Sequence, residues 1–359
     1  MVDNQAGDVP RKRSKSRAPF SLGGEEVPAG TSKTIDLPIS RLSTRTEITM
    51  PVRVLHGAKP GPTLFVSAAV HGNEIVGVEM IRRLLKVISI KRLAGTLLCI
   101  PVVNAYGFTS HSRYLPDGRD LNRVFPGTPK GSLASQLAQV FTEEIIKRSD
   151  YGIDLHSAGM NRENLPQIRY SPGNEQASEL ADIFGAPAII TSPLRPGSLR
   201  QTADENNCTM LLMESGEALR FDEYAIRVGV RGILRVMAHL GMGVRKQPPP
   251  VASGLRCDSS RWVRAEQGGI FRSIRNTGTM VLEGEQIGYI SDPFGDYDTA
   301  VLASLTGVII GRSVMPVVNQ GDALMHIARV RVPGTADARL SAIEEAAYDD
   351  PLFDEDEIM

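Results

Sequence analysis

Apolar and polar positions along residues 33–240 alternate in a pattern that predicts short strands separated by amphipathic helices. Five apolar runs have the length and residue types of strands, and several are apolar on both faces, as is typical of central strands in a sheet covered on two sides. Between these runs, apolar residues recur at helical spacing. The alternation predicts an α/β domain built on a mixed sheet with flanking helices. The predicted strands are residues 63–70, 96–103, 151–155, 188–191 and 208–213.

Local residue choices predict where two of the helices begin and end. Ser132 precedes a series of apolar residues at helical spacing, so it is the expected N-cap of that helix. Asp222 is the expected N-cap of a long helix that runs to about residue 240, where Gly241 ends it.

Three consecutive prolines at residues 248–250 mark the clearest boundary in the chain, because they cannot continue a helix and favour an extended linker. They separate a larger domain at residues 33–245 from residues 251–332, where glycines punctuate short β-prone runs and predict a small all-β module. The pattern at residues 284–288 and 303–309 resembles the barrel-sandwich hybrid of lipoyl and biotinyl carriers. A carrier needs a lysine at its hairpin tip, and this stretch has none, so we expect a packing or lid role.

The two ends of the chain differ from its middle in amino-acid composition. Residues 1–32 include a basic run at 11–17 in a polar context, which predicts a disordered basic arm. Residues 333–359 form an acidic tail whose last run, 349–357, is expected to be disordered.

Composition narrows the classes of function. Apolar residues make up 42% of the 359 positions and charged residues 23%, which is ordinary for a globular protein. The formal net charge of −1 gives no global attraction to nucleic acid or to an anionic membrane surface. The chain also has no apolar run of roughly 18 residues, the length needed to span a bilayer. We therefore expect neither a nucleic-acid partner nor a membrane partner.

The cysteines and the N-terminus bear on the cellular compartment. Cys99, Cys208 and Cys257 are few, widely separated and form no C-x-x-C pair, so they predict neither a zinc knuckle nor a redox site. Basic residues near the N-terminus are not followed by an apolar stretch of the kind found in secretory signals. Reduced, cytoplasmic residence fits best, and the sequence leaves open whether the chain forms a homo-oligomer.

Two histidines and a glutamate lie at the ends of predicted strands. His71-Gly72-Asn73-Glu74 follows the first apolar run, and His156 closes another about 80 residues later. His71 and Glu74 can reach one cation if the chain turns there, and Gly72 makes such a turn inexpensive. A His, Glu, His set suits Zn²⁺ with one position left open, which is the mark of a catalytic zinc. Of the remaining histidines, His239 and His326 are expected to be structural or exposed, whereas His111 lies between the metal motifs and could line the pocket.

Asp120-Leu121-Asn122-Arg123 lies between the two metal motifs. A guanidinium beside an amide is a good match for a carboxylate, so Asn122 and Arg123 are candidates for substrate binding. Asp120 could orient a ligand imidazole by accepting its other N–H. Arg113 and Arg119 flank this loop, and either could polarise a substrate carbonyl.

Hydrolysis of an amide also requires a general base. Glu214 ends the apolar run 208–213 and precedes Ser215-Gly216, so its carboxylate emerges from a strand into a turn. Glu217, three residues later, is the rival candidate.

These motifs together resemble the succinylglutamate desuccinylase/aspartoacylase branch of the zinc carboxypeptidase-like superfamily. The resemblance covers about residues 45–330, including the β module that this branch carries after its catalytic domain. It rests on four separated motifs in the family's order, namely His71-x-x-Glu74, Asp120-Leu121-Asn122-Arg123, Asp154-Leu155-His156 and Glu214.

The resemblance implies a zinc carboxypeptidase-like mixed sheet and a role for each matching residue. It implies that zinc is held by His71, Glu74 and His156, with Asp120 as the partner of the first histidine. It implies that Glu214 is the base and that Arg113 polarises the carbonyl. It also implies that Asn122 and Arg123 bind the substrate carboxylate. The implied activity is zinc-dependent amidohydrolysis of a small N-acylated amino acid, a linear amide, and the sequence looks most similar to deacylases that act on acetylated diaminobutyrate. Two alternatives stay open: a zinc carboxypeptidase acting on peptides, and a zinc-binding homologue that has lost its activity.

Overall fold

The computed structural model describes residues 17–244, 252–330 and 333–348. Among these residues, every helix is too short or too polar to cross a bilayer. The strands before the predicted linker are β1 (Phe20–Leu22), β2 (Glu25–Val27), β3 (Thr31–Arg41), β4 (Glu47–His56), β5 (Lys59–Ala68), β6 (Ala94–Ile100), β7 (Tyr151–Ala158), β8 (Arg162–Tyr170), β9 (Ala188–Thr191) and β10 (Thr209–Glu217).

In the described part of the chain, six α-helices connect these strands, and side-chain caps fix where several of them begin. Ser132 accepts a hydrogen bond from the Ser135 N–H, and Asp222 accepts one from the Ala225 N–H, so both predicted N-caps are confirmed. The predicted end of the long helix is also confirmed within two residues, because it stops at His239 and Gly241 follows with a φ of 70°. The helices are α1 (Val76–Val87), α2 (Ala105–Thr109), α3 (Leu133–Glu144), α4 (Glu175–Phe184), α5 (Leu199–Glu205) and α6 (Glu223–His239).

The chain after the predicted linker is mainly β-structure. Its elements are β11 (Leu255–Arg264), β12 (Gly269–Ser273), β13 (Met280–Val281), β14 (Gln286–Ser291), β15 (Asp298–Leu302), β16 (Gly307–Ser313), β17 (Val317–Val318), β18 (Ala323–Val330) and the helix α7 (Ala336–Tyr348).

A mixed sheet of 12 strands runs through the molecule in the order β13-β16-β18-β11-β9-β8-β10-β7-β5-β6-β4-β3. At its centre β10, β7, β5 and β6 are mutually parallel, so their carboxyl ends meet at one edge. All five strands predicted from apolar runs are present in this sheet. The mixed sheet with flanking helices is therefore confirmed, while β3, β4 and β8 were not predicted, since their apolar residues are interrupted by polar ones.

Two apolar clusters cover the two faces of this sheet. Along β5, Leu64 and Val66 belong to one cluster while Phe65 belongs to the other, as expected for side chains that alternate across a strand. One cluster packs against α1, α4 and α6, and the other against α3. Both faces of the central strands are therefore buried, which explains their continuous apolar sequence.

The β module shares the 12-stranded sheet with the catalytic domain. Its strand β11 pairs with β9, and β16 pairs with β8, so catalytic-domain strands and module strands share hydrogen bonds. A second sheet, β15-β14-β12-β17, lies in the module, and a cluster that includes Phe271, Ile290 and Ile327 forms the module's core. The predicted linker at residues 246–250 lies outside the described residues.

The expectation of a disordered N-terminal arm is wrong for residues 17–32, the part of it that the structure describes. Residues 17–32 form the hairpin β1–β2 and the start of β3, because Leu22 and Val27 are buried in the apolar cluster around Phe65. At the other end α7 packs on α6, and Leu340 and Ile343 are buried. The basic run up to residue 16 and the acidic run from residue 349 lie outside the described residues.

Candidate metal centre and active site

The turn after β5 brings His71 and Glu74 to the carboxyl edge of the sheet. The Glu74 N–H donates to the His71 carbonyl at 3.0 Å, which closes the turn. Gly72 matters here for space, since a Cβ at that position would lie 1.9 Å from the carbonyl carbon of Gly107. Gly72 does not have a positive φ, so the predicted reason for this glycine, an unusual backbone conformation, is replaced by close packing of two backbones.

His156 reaches the same place from the neighbouring parallel strand β7. The structure brings the ligand atoms of His71, Glu74 and His156 within 4.8 Å of one another, and all three side chains are buried. Glu74 Oε1 lies 2.8 Å from His71 Nδ1, and Glu74 Oε2 lies 2.8 Å from His156 Nδ1. We refer to these three residues as the metal cluster.

The metal cluster passes a simple test of fit for a cation. His71 Nδ1 is buried and, despite its closeness to Glu74, has no partner with hydrogen-bond geometry among the described residues. A buried polar atom without a hydrogen bond is costly, and a shared cation would satisfy it. Two imidazole nitrogens and one carboxylate are the donor set of a catalytic zinc with an open position.

Both imidazoles are oriented by carboxylates on their outer side. His71 Nε2 lies 3.0 Å from Asp120 Oδ1, the contact proposed for Asp120 from the sequence. His156 Nε2 lies 2.6 Å from Asp154 Oδ2, and the other oxygen of Asp154 accepts from the Ser67 hydroxyl at 2.7 Å. If each outer nitrogen donates, each Nδ1 presents a lone pair to the cation, which is the usual arrangement at zinc sites.

Sequence analysis did not assign a role to Asp154, although a sign of it was present. A fully buried carboxylate in an otherwise apolar strand, two residues before a candidate ligand, lies on the same face of the strand as that ligand. That spacing could have identified Asp154 as the partner of His156.

The electrostatics of the metal cluster favour a cation. Burial alone would raise the pKa of Glu74, yet His71 and His156 outweigh it and hold that pKa well below its ordinary value. Burial likewise opposes charge on His156, but Asp154 and Glu74 raise the pKa of His156 well above its ordinary value. Carboxylates thus surround the two imidazoles closely enough to stabilise positive charge there.

Glu214 stands beside the metal cluster on β10. It is the register partner of His156 on β7, and a bulge follows it between Glu214 and Glu217. Its carboxylate accepts a hydrogen bond from the Asn164 amide at 3.2 Å and lies 3.9 Å from the Arg169 guanidinium. The rival Glu217 accepts instead from the backbone N–H of Asn161 at 2.9 Å and, in the described chain, is not a lining residue of the cavity at the metal cluster.

The loop between the metal motifs contributes Arg113, Asn122 and Arg123 to the same cavity. The Asn122 side-chain oxygen accepts from the Leu199 N–H at 2.9 Å, which leaves its NH₂ group available to the cavity. Arg123 is exposed. Arg113 donates to Glu74 at 2.9 Å and to Asp120 at 3.0 Å, so its guanidinium is anchored at the metal cluster.

The cavity has a volume of about 290 Å³, the size of a small-molecule site. It contains polar residues that no sequence pattern singled out, because their strands and helices come together only in the fold. They are Arg162, Asn164, Arg169, Arg195, Arg200, Trp262 and His326.

Arg200 is the most unusual of these residues. It is only 7% exposed, its Nη1 has no hydrogen-bond partner among the described residues, and its Nη2 donates to the Pro193 carbonyl at 2.7 Å. Burial, together with the charges of Arg169 and Arg195, lowers the pKa of Arg200 to about 10. We refer to Arg169, Arg195 and Arg200 as the arginine cluster.

The β module supplies Trp262 and His326 to the cavity. Their rings stack at 4.5 Å with an interplanar angle of 10°, and His326 Nε2 lies 2.8 Å from the Ser260 hydroxyl. Burial and the charge of Arg169 lower the pKa of His326 to about 4, so its imidazole is neutral at neutral pH. His326, which the sequence predicts to be structural or exposed, lines the cavity because β18 pairs with β11 and β16.

Comparisons with known proteins identify chains that are similar to this one. Residues 60–240 match the sequence model described as the succinylglutamate desuccinylase/aspartoacylase catalytic domain. The N-alpha-acetyl-L-2,4-diaminobutyric acid deacetylase of Halomonas elongata is 28% identical over 333 residues, which cover 86% of this chain and 97% of the relative.

Solved structures show the same likeness in three dimensions. A succinylglutamate desuccinylase/aspartoacylase from Rhodobacter sphaeroides superposes with a TM-score of 0.74 at 25% identity, covering 84% of this chain and 95% of the other. The product-bound ectoine utilization protein EutE from Ruegeria pomeroyi gives a TM-score of 0.75 at 21% identity, covering 83% and 95%, a likeness that concerns the fold.

Proposed function

The chain belongs to the succinylglutamate desuccinylase/aspartoacylase family, and from this premise we propose that it is a zinc-dependent deacylase. It hydrolyses the amide bond of a small N-acyl amino acid and releases a carboxylic acid and a free amine. The observation that carries the proposal is the convergence of His71, Glu74 and His156 in one cavity with the carboxylate of Glu214. Cytoplasmic residence, predicted from the cysteines, is part of the same proposal.

His71, Glu74 and His156 would hold the zinc, with Asp120 and Asp154 fixing the imidazoles. When bound there, zinc acts as a Lewis acid toward a carbonyl oxygen and makes water more acidic. The unpartnered Nδ1 of His71 supports this assignment.

Glu214 is the proposed general base. It accepts a proton from the attacking water and delivers it to the amide nitrogen as the carbon–nitrogen bond breaks. Arg113, anchored beside Glu74, is the proposed donor to the carbonyl oxygen as negative charge develops on it. Asn122 and Arg123 are proposed to bind the substrate carboxylate and so to fix which bond meets the water.

The arginine cluster extends the proposal to the charge of the substrate. Among the described residues that line the cavity, the only carboxylates are Glu74 and Glu214, and both already have proposed roles. No lining carboxylate is then left to pair with a side-chain ammonium, whereas Arg200 offers a buried donor that lacks a partner. This supports a substrate with a second anionic group, on the acyl part or on the amino acid.

The two alternatives fit the site less well. A peptide substrate of a carboxypeptidase would have to enter a cavity of about 290 Å³ in which Trp262 and His326 of the β module also lie. A homologue without activity has no need of Glu214 beside the metal cluster. We also propose that the sheet β15-β14-β12-β17 and the module strands of the 12-stranded sheet together form the barrel-sandwich-like unit. Their shared apolar core supports this proposal.

The test is a substrate panel with the purified zinc-loaded protein. N-acetyl and N-succinyl amino acids with acidic, neutral and basic side chains are assayed beside dipeptides, and release of the free amine is followed. We expect turnover of N-acyl amino acids, fastest for those with two anionic groups, and loss of turnover after chelation that added zinc restores. Faster cleavage of dipeptides would contradict the proposal, and so would full activity of the chelated protein.

A further inference from the structure

A row of register partners crosses five neighbouring strands at the cavity. Asn164 on β8 pairs with Gly216 on β10 on one side and with Gly311 on β16 on the other. Gly311 in turn pairs with His326 on β18, and His326 pairs with Trp262 on β11. Register partners point to the same face of a sheet, so these side chains form one surface. Three of the five strands belong to the β module, and the row links that module directly to the strand that carries Glu214.

Asn164 is the member of this row that contacts the proposed base. Its Nδ2 donates to Glu214 Oε2 at 3.2 Å. Its other amide atom faces the module, since a Cβ built on Gly311 would lie 2.6 Å from Asn164 Oδ1. The amide thus lies with its nitrogen toward the carboxylate and its oxygen toward Gly311, and the opposite orientation would place two oxygens together at Glu214.

The residue before Asn164 is tied to the module by further bonds to its side chain. The Glu163 carboxylate accepts from the Thr277 hydroxyl at 2.5 Å and from the Arg312 guanidinium at 3.2 Å. These contacts leave the Asn164 side chain, rather than the strand, as the part that would move if Gly311 became larger.

We propose that Asn164 is a positioning residue for Glu214 and that Gly311 of the β module leaves the space in which the Asn164 amide takes its working orientation. The inference rests on the proposed function of Glu214. It assigns the module a part in catalysis: without the open space at Gly311, the amide turns away and the carboxylate loses the donor that fixes it beside the metal cluster. Since a displacement of about 1 Å in a catalytic group can cost a large part of the rate, the effect should appear in kcat.

The first part of the test compares Asn164→Ala and Gly311→Ala with the matched control Gly268→Ala. Gly268 is exposed in the same module, and its added Cβ would make only an ordinary contact of 3.4 Å. We expect kcat to fall about tenfold in the first two variants with KM within about twofold, and the control to match the wild type. Zinc content should stay at the wild-type level in all three. Tm should fall only slightly in Gly311→Ala, because the closest atom to the added methyl group is the end of the Asn164 side chain, whereas the Glu163 backbone carbonyl, at 3.2 Å, has to shift by only a few tenths of an ångström.

The double variant separates positioning from general damage. Once Asn164→Ala has removed the oxygen that Gly311→Ala would displace, adding the second substitution should have little further effect on kcat. Losses that multiply in the double variant, or a rise in KM with kcat unchanged, would overturn the proposal, since they indicate sheet distortion or direct substrate binding.

Crystal structures of the variants supply a reading that does not depend on turnover. In Gly311→Ala the distance from the Asn164 amide nitrogen to Glu214 should grow beyond hydrogen-bond range, whereas in Gly268→Ala it should remain near 3.2 Å. An unmoved amide in Gly311→Ala would overturn the inference even if the protein proved to be a deacylase. If no N-acyl amino acid were turned over, the proposed function would fail, and this distance would still decide whether the module controls Asn164.

Discussion

Two groups of charged residues line the same cavity, and they differ in the sign of the charges that surround them. In the metal cluster, Glu74 lies 2.8 Å from each histidine, and the outer nitrogens of both histidines face carboxylates. In the arginine cluster, Arg200 is buried among like charges with one nitrogen unpartnered in the described structure, and burial lowers its pKa to about 10.

This difference indicates which kind of ligand each cluster is suited to bind. An arrangement of carboxylates around two imidazoles is prepared for a cation, and its geometry is supported by neighbouring side chains. A buried guanidinium among other guanidinium groups is unfavourable until an anion arrives, so its cost to stability is offset only in the complex. The metal cluster should therefore control whether the reaction occurs, and the arginine cluster should control which substrate is accepted.

The largest effect is expected from removing a metal ligand. His71→Ala and His156→Ala should lose zinc and at least about a thousandfold in kcat, because the Lewis acid is gone, while the fold survives. Elemental analysis of the purified variants measures the metal. His239→Ala, at a partly exposed position on α6, is the control that should retain it, and full zinc retention in both ligand variants would refute the site.

Removing the base tests the step that depends on the metal cluster. Glu214→Gln should keep its zinc and its KM but lose about a hundredfold in kcat, as expected when proton transfer fails. Glu217→Gln is the matched control, since that carboxylate accepts a backbone hydrogen bond instead. If Glu217→Gln were the inactive variant, we would have chosen the wrong carboxylate.

Replacing Arg200 tests whether the arginine cluster controls which substrate is accepted. Arg200→Met should lower kcat/KM for a dianionic substrate about thirtyfold, roughly 2 kcal/mol, and leave zinc content unchanged. Because the substitution also removes a buried charge from among like charges, Tm of the ligand-free protein should not fall. A large drop in Tm with equal losses for monoanionic and dianionic substrates would mean that Arg200 serves the fold.

The exposed arginine should show the smallest effect. Arg123→Lys keeps the charge but loses the two-pronged donor, and because Arg123 is exposed we expect only about a tenfold loss in kcat/KM. The loss should shrink when the substrate carboxylate is replaced by a neutral amide, since that contact is then absent in the wild type as well. Equal losses for acid and amide substrates would remove Arg123 from the carboxylate site.

The sequence by itself determined the chemistry that gathers at one edge of the sheet. His71 and His156 each follow an apolar run of strand length, and parallel strands bring their carboxyl ends together, so local pattern was enough to predict that these side chains meet. The same reasoning predicted Glu214 as a candidate, because it also ends such a run. The caps at Ser132 and Asp222 were predictable because each depends on a hydrogen bond to a residue three positions away.

Only the tertiary structure decided the rest of the cavity. Arg200 lies within α5 rather than at the end of a strand, and Trp262 and His326 belong to a module that the proline run was expected to separate from the catalytic domain. Their places depend on β11 pairing with β9 and on β16 pairing with β8, contacts between segments far apart in the chain. Strand register between distant segments is set by the packing of whole faces, and a shift of one residue would turn Asn164 and Gly311 to the opposite side. No local pattern carries that information, because the energy that selects the register is spread over the entire buried sheet.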